Sequence, residues 1–351
     1  MLFPFIECLN YQCQLINYLF LFYPLFWHYP KTNLFLDLAI FIVLFSSWRH
    51  LYNYIIKSTA LINSVLIIGQ SAEIEQISRI IKDNPQLGHR IIKQIRPQEI
   101  QTPFDLLELA TQKNIKTIVT AIDPHHNRRL VQSLYQCLPL KISFSDFPSF
   151  YEKILGKVPL SSIGEIWFLE NLTESQKNFY EAIKRMLDMF GSFIFGIVSL
   201  IFYPFITLAI KIDSKGPVFY TQRRIGQDGQ IFKVLKFRSM TEDAEKNGAQ
   251  WADQQDHRIT RIGKFLRKTR LDELPQMWNI FTGQMSFIGP RPERIEFVQQ
   301  LEKEIPYYQI RHIVKPGLTG WAQVSFRYGA SVQDSIQKLQ YELYYIKHRS
   351  F

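Results

Sequence analysis

The run MFGSFIFGIVSLIFYPFITLAI, Met189 to Ile210, holds 22 residues without a formal charge. As a single helix it extends about 33 Å, long enough to cross the hydrocarbon core of a bilayer. Two features oppose a straight crossing. Pro204 lies inside the run, where it removes a backbone N–H and bends the helix. Both flanks are basic, with Lys184 and Arg185 before the run and Lys211, Lys215, Arg223 and Arg224 after it, and cation-rich ends prefer the same anionic leaflet. The sequence therefore predicts a re-entrant helix over about 186–211, broken at Pro204, that enters and leaves by one face of the membrane. A spanning helix with a proline kink is the alternative, and it would separate the soluble portions on either side.

Two further apolar stretches open the chain. Cys8 to Trp27 carries no charge and Thr32 to Trp48 carries only Asp37, so residues 1–52 read as a transmembrane helical hairpin whose arms are near the short end of what a span needs. Arg49, His50 and Lys57 follow the second arm and favour a cytoplasmic exit. The opening MLFPFIECLNYQ lacks the basic region and the cleavage site of a signal peptide. Cys8, Cys13 and Cys137 show neither metal-ligand spacing nor an even disulfide set, in keeping with soluble parts that face a reducing cytoplasm.

Residues 62–171 change character. Short β-branched runs (SVLIIG, RIIKQI, IKTIVTAI, LKISFSD) alternate with helical patterns (EIEQISRIIKDN, LLELATQKN and Arg128 to Gln136), which predicts a Rossmann-like parallel α/β domain. Gly69 closes the first strand, but GQSAEIEQI lacks the G-x-G-x-x-G spacing that lets a backbone approach a pyrophosphate. A nucleotide-free regulatory or assembly role is expected of this part.

The formal net charge of +10 points to anionic partners: nucleic acid, phospholipid head groups or phosphorylated substrates. The cations concentrate beside the apolar elements and no nucleic-acid motif accompanies them, so nucleic acid is excluded as a partner. Arg261, Lys264, Arg267, Lys268 and Arg270 interleave with Ile262, Phe265 and Leu266 at helical spacing, suited to a membrane surface or to phosphates, or simply to a solvated basic face. Asp272 and Glu273 follow directly, between Leu271 and Leu274 and before Pro275. Acids among so many cations are expected to stay ionised, able to ligate Mg²⁺ or to attack phosphorus. A bare Asp-Glu pair is more often a helix N-terminal acid pair or a surface salt-bridge partner. Downstream, Gly289-Pro290-Arg291-Pro292 holds a guanidinium between two residues of fixed φ, a pre-set grip for phosphate. RHIVKPGLTGW, with Lys315, two glycines and Trp321, suits close backbone approach and the stacking of a base or sugar. Lys233, Lys236 and Arg238 recur along the strand-like FKVLKFRSM.

Four motifs in fixed order, DSKGPVFYTQRRIGQDGQIFKVLKFRSM, ITRIGKFLRKTRLDELPQMWNIFTGQMSFIGPRPE, VKPGLTGWAQV and YELYYIKHRS, resemble the bacterial sugar transferases of the monotopic phosphoglycosyl transferase superfamily. The resemblance covers residues 177–351, the expected catalytic domain, which is mostly helical in that family. The hairpin and α/β domain upstream are similar to the larger members that initiate capsule or exopolysaccharide synthesis, and the C-terminal segment resembles their exosortase-associated branch. The resemblance implies that Asp272 is the nucleophile that attacks the β-phosphate of a UDP-sugar, expels UMP and holds the phosphosugar until a polyprenyl (undecaprenyl) phosphate takes it. It implies Glu273 as partner, Mg²⁺ as cofactor ligated at Asp272, Arg291 with Pro290 as a phosphate clamp, and Lys236, Arg238, Arg270 and Lys315 as substrate-binding cations. It matches Pro204 to the break of the family's re-entrant membrane helix. Membrane lipid is a further expected partner, a homo-oligomer is left open, and the expected place is the cytoplasmic face of the bacterial inner membrane. Gln284 stands where the family has an acidic residue. A catalytically inactive, membrane-tethered scaffold of polysaccharide assembly is the alternative function.

Overall fold

The computed structural model describes residues 30–56, 62–100, 102–122, 127–172, 178–244, 246, 256–326, 329 and 331–349. The first arm of the expected hairpin, Cys8 to Trp27, lies outside the described residues. The second arm falls on helix α1, Pro30–Ile56. Its stretch Thr32–Tyr52 has a mean hydropathy of 1.6 and none of it is buried inside the protein, so by length and composition it can cross a membrane. Phe35, Phe41, Phe45 and Trp48 are all exposed, the pattern of a helix whose apolar surface has no protein core to face.

The described chain divides into two compact units. The first comprises the described residues up to Ile67 with Ile74–Ile118 and Arg128–Ser143; the second comprises Ile68–Glu73, the described part of Val119–Asn127, and the described residues from Phe144 onward. Strands β1 (Asn63–Ile68), β2 (His89–Ile95), β3 (Thr117–Thr120) and β4 (Ser143–Asp146) form one parallel sheet in the order β2-β1-β3-β4. Helices α2 (Ala72–Asp83), α3 (Pro103–Gln112) and α4 (Arg128–Gln136) join successive strands. The two inner strands, β1 and β3, read as continuous apolar or β-branched runs because both faces of a parallel sheet are covered: Val65 to Ile68 and Thr117 to Thr120 are all buried. Helix α2 turns Ile74, Ile77 and Ile81 inward at helical spacing.

In the second unit, helices α5 (Phe147–Leu155) and α6 (Glu165–Asn171) precede α7 (Asn178–Leu200) and α8 (Tyr203–Asp213). An antiparallel hairpin of β5 (Phe219–Ile225) and β6 (Ile231–Phe237) follows, then α9 (Arg261–Thr269), α10 (Gln276–Phe281), β7 (Ser286–Ile288), α11 (Ile295–Glu304), β8 (Gly317–Thr319), α12 (Trp321–Ser325) and α13 (Val332–His348). Strands β7 and β8 pair in parallel. One apolar cluster of this unit packs Leu339, Leu343 and Ile346 of α13 on Val298 and Leu301 of α11 and on Tyr308 and Val314.

Helices α7 and α8 meet at a 58° bend. Pro204, in the first turn of α8, has no N–H to offer the Leu200 carbonyl, so the helical ladder cannot run through. Shorter-range bonds bridge the break: the Ile201 N–H donates to the Val198 carbonyl at 3.3 Å and the Phe202 N–H to the Ser199 carbonyl at 2.9 Å. The burial of α7 inverts that of a water-soluble helix. Phe190, Phe193, Phe195, Ile197, Ile201 and Phe205 are exposed, while the buried residues of α7 are Asp188, Ser192 and Ser199. Each of those polar groups is satisfied within the protein. Asp188 pairs with Lys184 at 3.3 Å and accepts the Phe287 N–H at 3.1 Å, and the Ser192 and Ser199 hydroxyls donate to carbonyls of their own helix.

Candidate active site

Helix α9 delivers the chain to Asp272 and Glu273. It starts at Thr260, whose hydroxyl accepts the Gly263 N–H at 3.0 Å, and Asp213 at the end of α8 accepts the Ile262 N–H at 2.9 Å, so two of its orphan donors are capped. Gly263 lies so close to the Ser239 backbone that a Cβ there would sit 2.0 Å from the Ser239 carbonyl oxygen, which fixes α9 against the end of the β5–β6 hairpin. Arg270 ends the helix in the left-handed region, φ 59°, and the chain reverses into a 3₁₀ turn, Leu271–Glu273. Leu271 and Leu274 pack on Ile206, Ile210, Phe237 and Leu266, so the two carboxylates between them are held by the apolar residues on either side.

Both acids are buried, Asp272 at 7% exposure and Glu273 at 6%. Their surroundings differ. Glu273 Oε1 receives Arg291 Nη2 at 2.8 Å, Lys236 Nζ at 3.3 Å and Arg270 Nη1 at 3.7 Å. Burial works to raise its carboxyl, but Arg291, Lys236 and Arg270 outweigh it and hold the group at about 2. Asp272 Oδ1 is buried with no hydrogen-bond partner among the described residues. Burial moves its carboxyl above the ordinary aspartate value, against the pull of Lys236, Arg267 and Arg270. Three cations converge on Glu273, whereas desolvation dominates at Asp272. Lys236 is brought down to about 8, first by burial and next by the Arg291 charge, against the opposing pull of Glu273.

Arg291 is held from behind. Its carbonyl accepts Arg311 Nη2 at 2.8 Å, and Arg311 is locked in a buried two-pronged pair with Glu342, Nε to Oε2 and Nη2 to Oε1 both at 2.8 Å. The Pro290 carbonyl accepts the Gly317 N–H at 2.8 Å, and the Gly289 N–H donates to the Thr319 carbonyl at 2.9 Å. Gly289, Gly317 and Gly320 let these two segments touch, since a Cβ on Gly320 would meet the Gly289 carbonyl oxygen at 2.2 Å. The Gly-Pro-Arg-Pro element is thus fixed through its backbone by the Lys-Pro-Gly-Leu-Thr-Gly element 26 residues later, as the matched Gly289 and Lys315 show by their separation (315 − 289).

Lys236, Arg270 and Arg291 are brought together with the acids. Arg238 is not. It is buried and donates to the Ser214 carbonyl at 2.8 Å, to the Ser214 hydroxyl at 3.0 Å and to the Lys215 carbonyl, so it holds the loop that leaves α8. Arg238 follows the end of β6, and its Nη atoms are spent on the Ser214–Lys215 loop. Lys315 lies under the influence of Arg185, Glu181, Asp188 and Lys184, the charges at the start of α7. Pro290 is buried and acts through its carbonyl.

Asn279 was not singled out from the sequence. Its Oδ1 accepts the Leu235 N–H at 3.0 Å, while its Nδ2 donates to the Lys233 carbonyl and to Gln284 Oε1, both at 2.8 Å, tying β6 to α10 beside Lys236. A buried amide in the apolar run QMWNIF is the signal that points to it. Gln284 needs only an acceptor oxygen for this contact, which an acidic residue would also supply. The Arg311–Glu342 pair left no local signal, because its members are 31 residues apart.

Among the described residues no group of three or more His, Cys, Asp or Glu side chains is arranged to hold a metal ion. Asp272 Oδ1 is buried without a partner among the described residues, whereas Glu273 Oε1 is taken by cations. This donor set fits an ion of the Mg²⁺ kind, which binds through one or two carboxylates and completes its shell with substrate phosphates and water.

Residues 179–351 match the family described as bacterial sugar transferase. The chain is 40% identical over 221 residues, 62% of its length, to a UDP-N-acetylgalactosamine-undecaprenyl-phosphate N-acetylgalactosaminephosphotransferase of Aeromonas hydrophila, and the match spans about half of that relative, 51%. It is 30% identical over 315 residues to a UDP-glucose:undecaprenyl-phosphate glucose-1-phosphate transferase of Xanthomonas campestris pv. campestris, covering 82% of this chain and 63% of the relative. It is 42% identical over 146 residues to the exopolysaccharide production protein PSS of Rhizobium leguminosarum bv. phaseoli, 40% of this chain and 73% of the relative. With the matched region carrying the buried acid pair and its three cations, the chain belongs to the bacterial sugar transferase family.

Proposed function

We propose that the chain transfers a sugar 1-phosphate from a UDP-sugar to a polyprenyl phosphate such as undecaprenyl phosphate, releasing UMP, as the first membrane step of an exopolysaccharide or capsule. The single observation that carries this reading is the asymmetry of the acid pair: Arg291, Lys236 and Arg270 all reach Glu273 Oε1, and Asp272 Oδ1 is buried without a partner among the described residues. The names of the Aeromonas and Xanthomonas relatives, both undecaprenyl-phosphate sugar phosphotransferases, support the substrates.

Glu273 acts as an anchor, and its negative charge gathers cations that the donor's diphosphate can share. An Asp272 oxygen attacks the β-phosphorus, the bond from that phosphorus to the bridging oxygen of UMP breaks, and UMP leaves with the electron pair. An acyl-phosphate to the sugar remains on Asp272. An oxygen of polyprenyl phosphate then attacks the same phosphorus, the Asp272 carboxylate leaves, and a polyprenyl diphosphate sugar departs. Arg291 and Lys236 hold charge that shifts onto phosphate oxygens during both displacements. Asp272 would hold Mg²⁺, which when bound neutralises diphosphate charge.

The lipid acceptor sets the place of this chemistry. The exposed apolar surface of α7 and α8 and the buried polar groups of α7 support a membrane-embedded pair, and the basic flanks support entry and exit by the cytoplasmic face, a re-entrant element bent at Pro204. With α1 as a membrane anchor, the catalytic unit works at the inner face of the cytoplasmic membrane.

The test is UMP release by the purified chain from a UDP-sugar: beyond one equivalent per chain it is expected only when polyprenyl phosphate is present, and all of it is expected to be lost in Asp272→Asn. UMP release that survives Asp272→Asn contradicts the mechanism. Normal polysaccharide initiation in cells that carry only Asp272→Ala points instead to a scaffold.

A further inference from the structure

Helix α7 carries a buried carboxylate where its apolar run begins. Asp188 directly precedes the uncharged stretch from Met189 to Ile210 and is 6% exposed, on a helix whose apolar side chains face outward. An ionisable group at the head of a membrane-embedded segment is costly unless it is paired and used. Lys184, one turn back, pairs with Asp188 Oδ2 at 3.3 Å and also contacts the Ser286 hydroxyl. Asp188 Oδ1 accepts the Phe287 N–H at 3.1 Å. That donor has no strand to take it. Strands β7 and β8 form a two-stranded sheet, the Ser286 N–H donates across it to the Pro316 carbonyl at 2.9 Å, and the next N–H along an extended chain points to the open edge. Asp188 stands at that edge in place of a third strand.

The same face of the helix is fitted to this strand. Asp188, Gly191 and Phe195 follow at i, i+3 and i+7, and all three meet Phe287. A Cβ on Gly191 would stand 2.9 Å from the Phe287 ring, and Phe195 packs edge-on to it with ring centroids 6.1 Å apart. From Phe287 onward the chain has little freedom. The Ile288 carbonyl accepts the Tyr345 hydroxyl at 2.9 Å, and the Gly289 N–H and Pro290 carbonyl bond to Thr319 and Gly317 of β8. Arg291 comes next, its guanidinium 2.8 Å from Glu273. Resting on the proposed transfer, we propose that Asp188 is a positioning residue of the reaction, whose bond to the Phe287 N–H carries the placement of the membrane helix into the placement of the Arg291 clamp. A carboxylate suits the task because one oxygen holds the strand while the other keeps Lys184. A leucine would keep the volume and lose both contacts.

The experiment is a double-mutant cycle on the full chain in detergent, read by UDP affinity in calorimetry and by kcat/KM of UMP release with polyprenyl phosphate present. Asp188→Leu is expected to weaken UDP about tenfold and to lower kcat/KM by about 10- to 100-fold. Once Arg291→Ala has removed the clamp, Asp188→Leu is expected to add less than about threefold to either loss. Asp188→Asn, whose amide oxygen can still accept the Phe287 N–H, is expected to keep more of both than Asp188→Leu, and it runs the same cycle where the leucine variant does not fold. Equal costs in the two Arg291 backgrounds mark a general loss of structure and overturn the assignment. An Asp188→Asn chain no better than Asp188→Leu overturns it too, because the Phe287 bond then carries nothing. Coupling in UDP affinity in a chain that never releases UMP refutes the transfer and leaves the positioning standing. A chain that turns over in Asp188→Leu at wild-type values refutes the positioning alone.

Discussion

Cutting the buried pair behind the phosphate clamp separates a structural from a catalytic effect. Arg311 and Glu342 are 3% and 5% exposed at the side chain and joined by two bonds of 2.8 Å. Glu342→Leu leaves the Arg311 guanidinium charged and unpaired in the core, and removing one partner of such a pair costs about 3–5 kcal/mol. Arg311→Met leaves Glu342 in the same position and also strips a donor from the Tyr308 hydroxyl, 3.0 Å away, and from the Arg291 carbonyl. The double variant removes both charges, so its cost is expected to fall well short of the sum of the singles, with a coupling of at least about 2 kcal/mol. Urea unfolding in detergent, followed by tryptophan fluorescence, reads these differences as shifts in midpoint. Activity is expected to part from stability. The double variant still lacks the donor that fixes the Arg291 backbone, and a misplacement of that size lowers UMP release by about 10- to 100-fold even where stability recovers. Strictly additive costs, or a Glu342→Leu penalty under about 1 kcal/mol, refute the reasoning.

Three further outcomes follow from the same geometry. Lys236, lowered to about 8, must be charged to pair with Glu273 and with phosphate, so UMP release is expected to fall as pH rises through about 8, and Lys236→Arg, which stays protonated, is expected to remove that basic limb. Between about 8 and 10.5 the unfolded chain binds more protons at this lysine than the folded one, so this group adds stability as pH rises and the activity loss is expected with the circular dichroism unchanged. Gly263→Ala places a methyl 2.0 Å from the Ser239 carbonyl oxygen and is expected to destabilise by about 1–3 kcal/mol in the same urea assay, whereas Gly229→Ala, with nothing near its missing Cβ, is expected to cost only its left-handed φ. Cysteines placed by Ala182→Cys and Lys215→Cys, on either side of the α7–α8 bend, are expected to react with a membrane-impermeant maleimide only in inside-out vesicles; labelling of one of them in right-side-out vesicles contradicts the re-entrant course.

The α/β part was the most legible. Runs such as SVLIIG and IKTIVTAI carry their burial in their composition, and helices at Ala72–Asp83 and Arg128–Gln136 fall where the apolar period of 3.6 places them. The bend between α7 and α8 was equally open to inspection, because one proline decides it. The acid pair was found by neighbourhood, yet its inner asymmetry was not, since which cation reaches which carboxylate depends on β6 and on the Gly-Pro-Arg-Pro turn coming together from positions 37 and 18 residues away. Arg238 misled for a related reason: a cation two residues along the strand from Lys236 looks like a second substrate contact until its three bonds to the Ser214–Lys215 loop are seen. Arg311, Glu342 and Asn279 do their positioning through contacts between distant segments, which periodicity and spacing do not encode.

The most direct measurement is intact-protein and peptide mass spectrometry of the chain quenched after mixing with a UDP-sugar and no acceptor lipid. One UMP released per chain and one sugar-phosphate mass added on the peptide that contains Asp272, both absent in Asp272→Asn and the adduct discharged by polyprenyl phosphate, are expected. A wild-type chain that carries no adduct while turning over, or an Asp272→Asn chain that still forms the lipid product, contradicts the account.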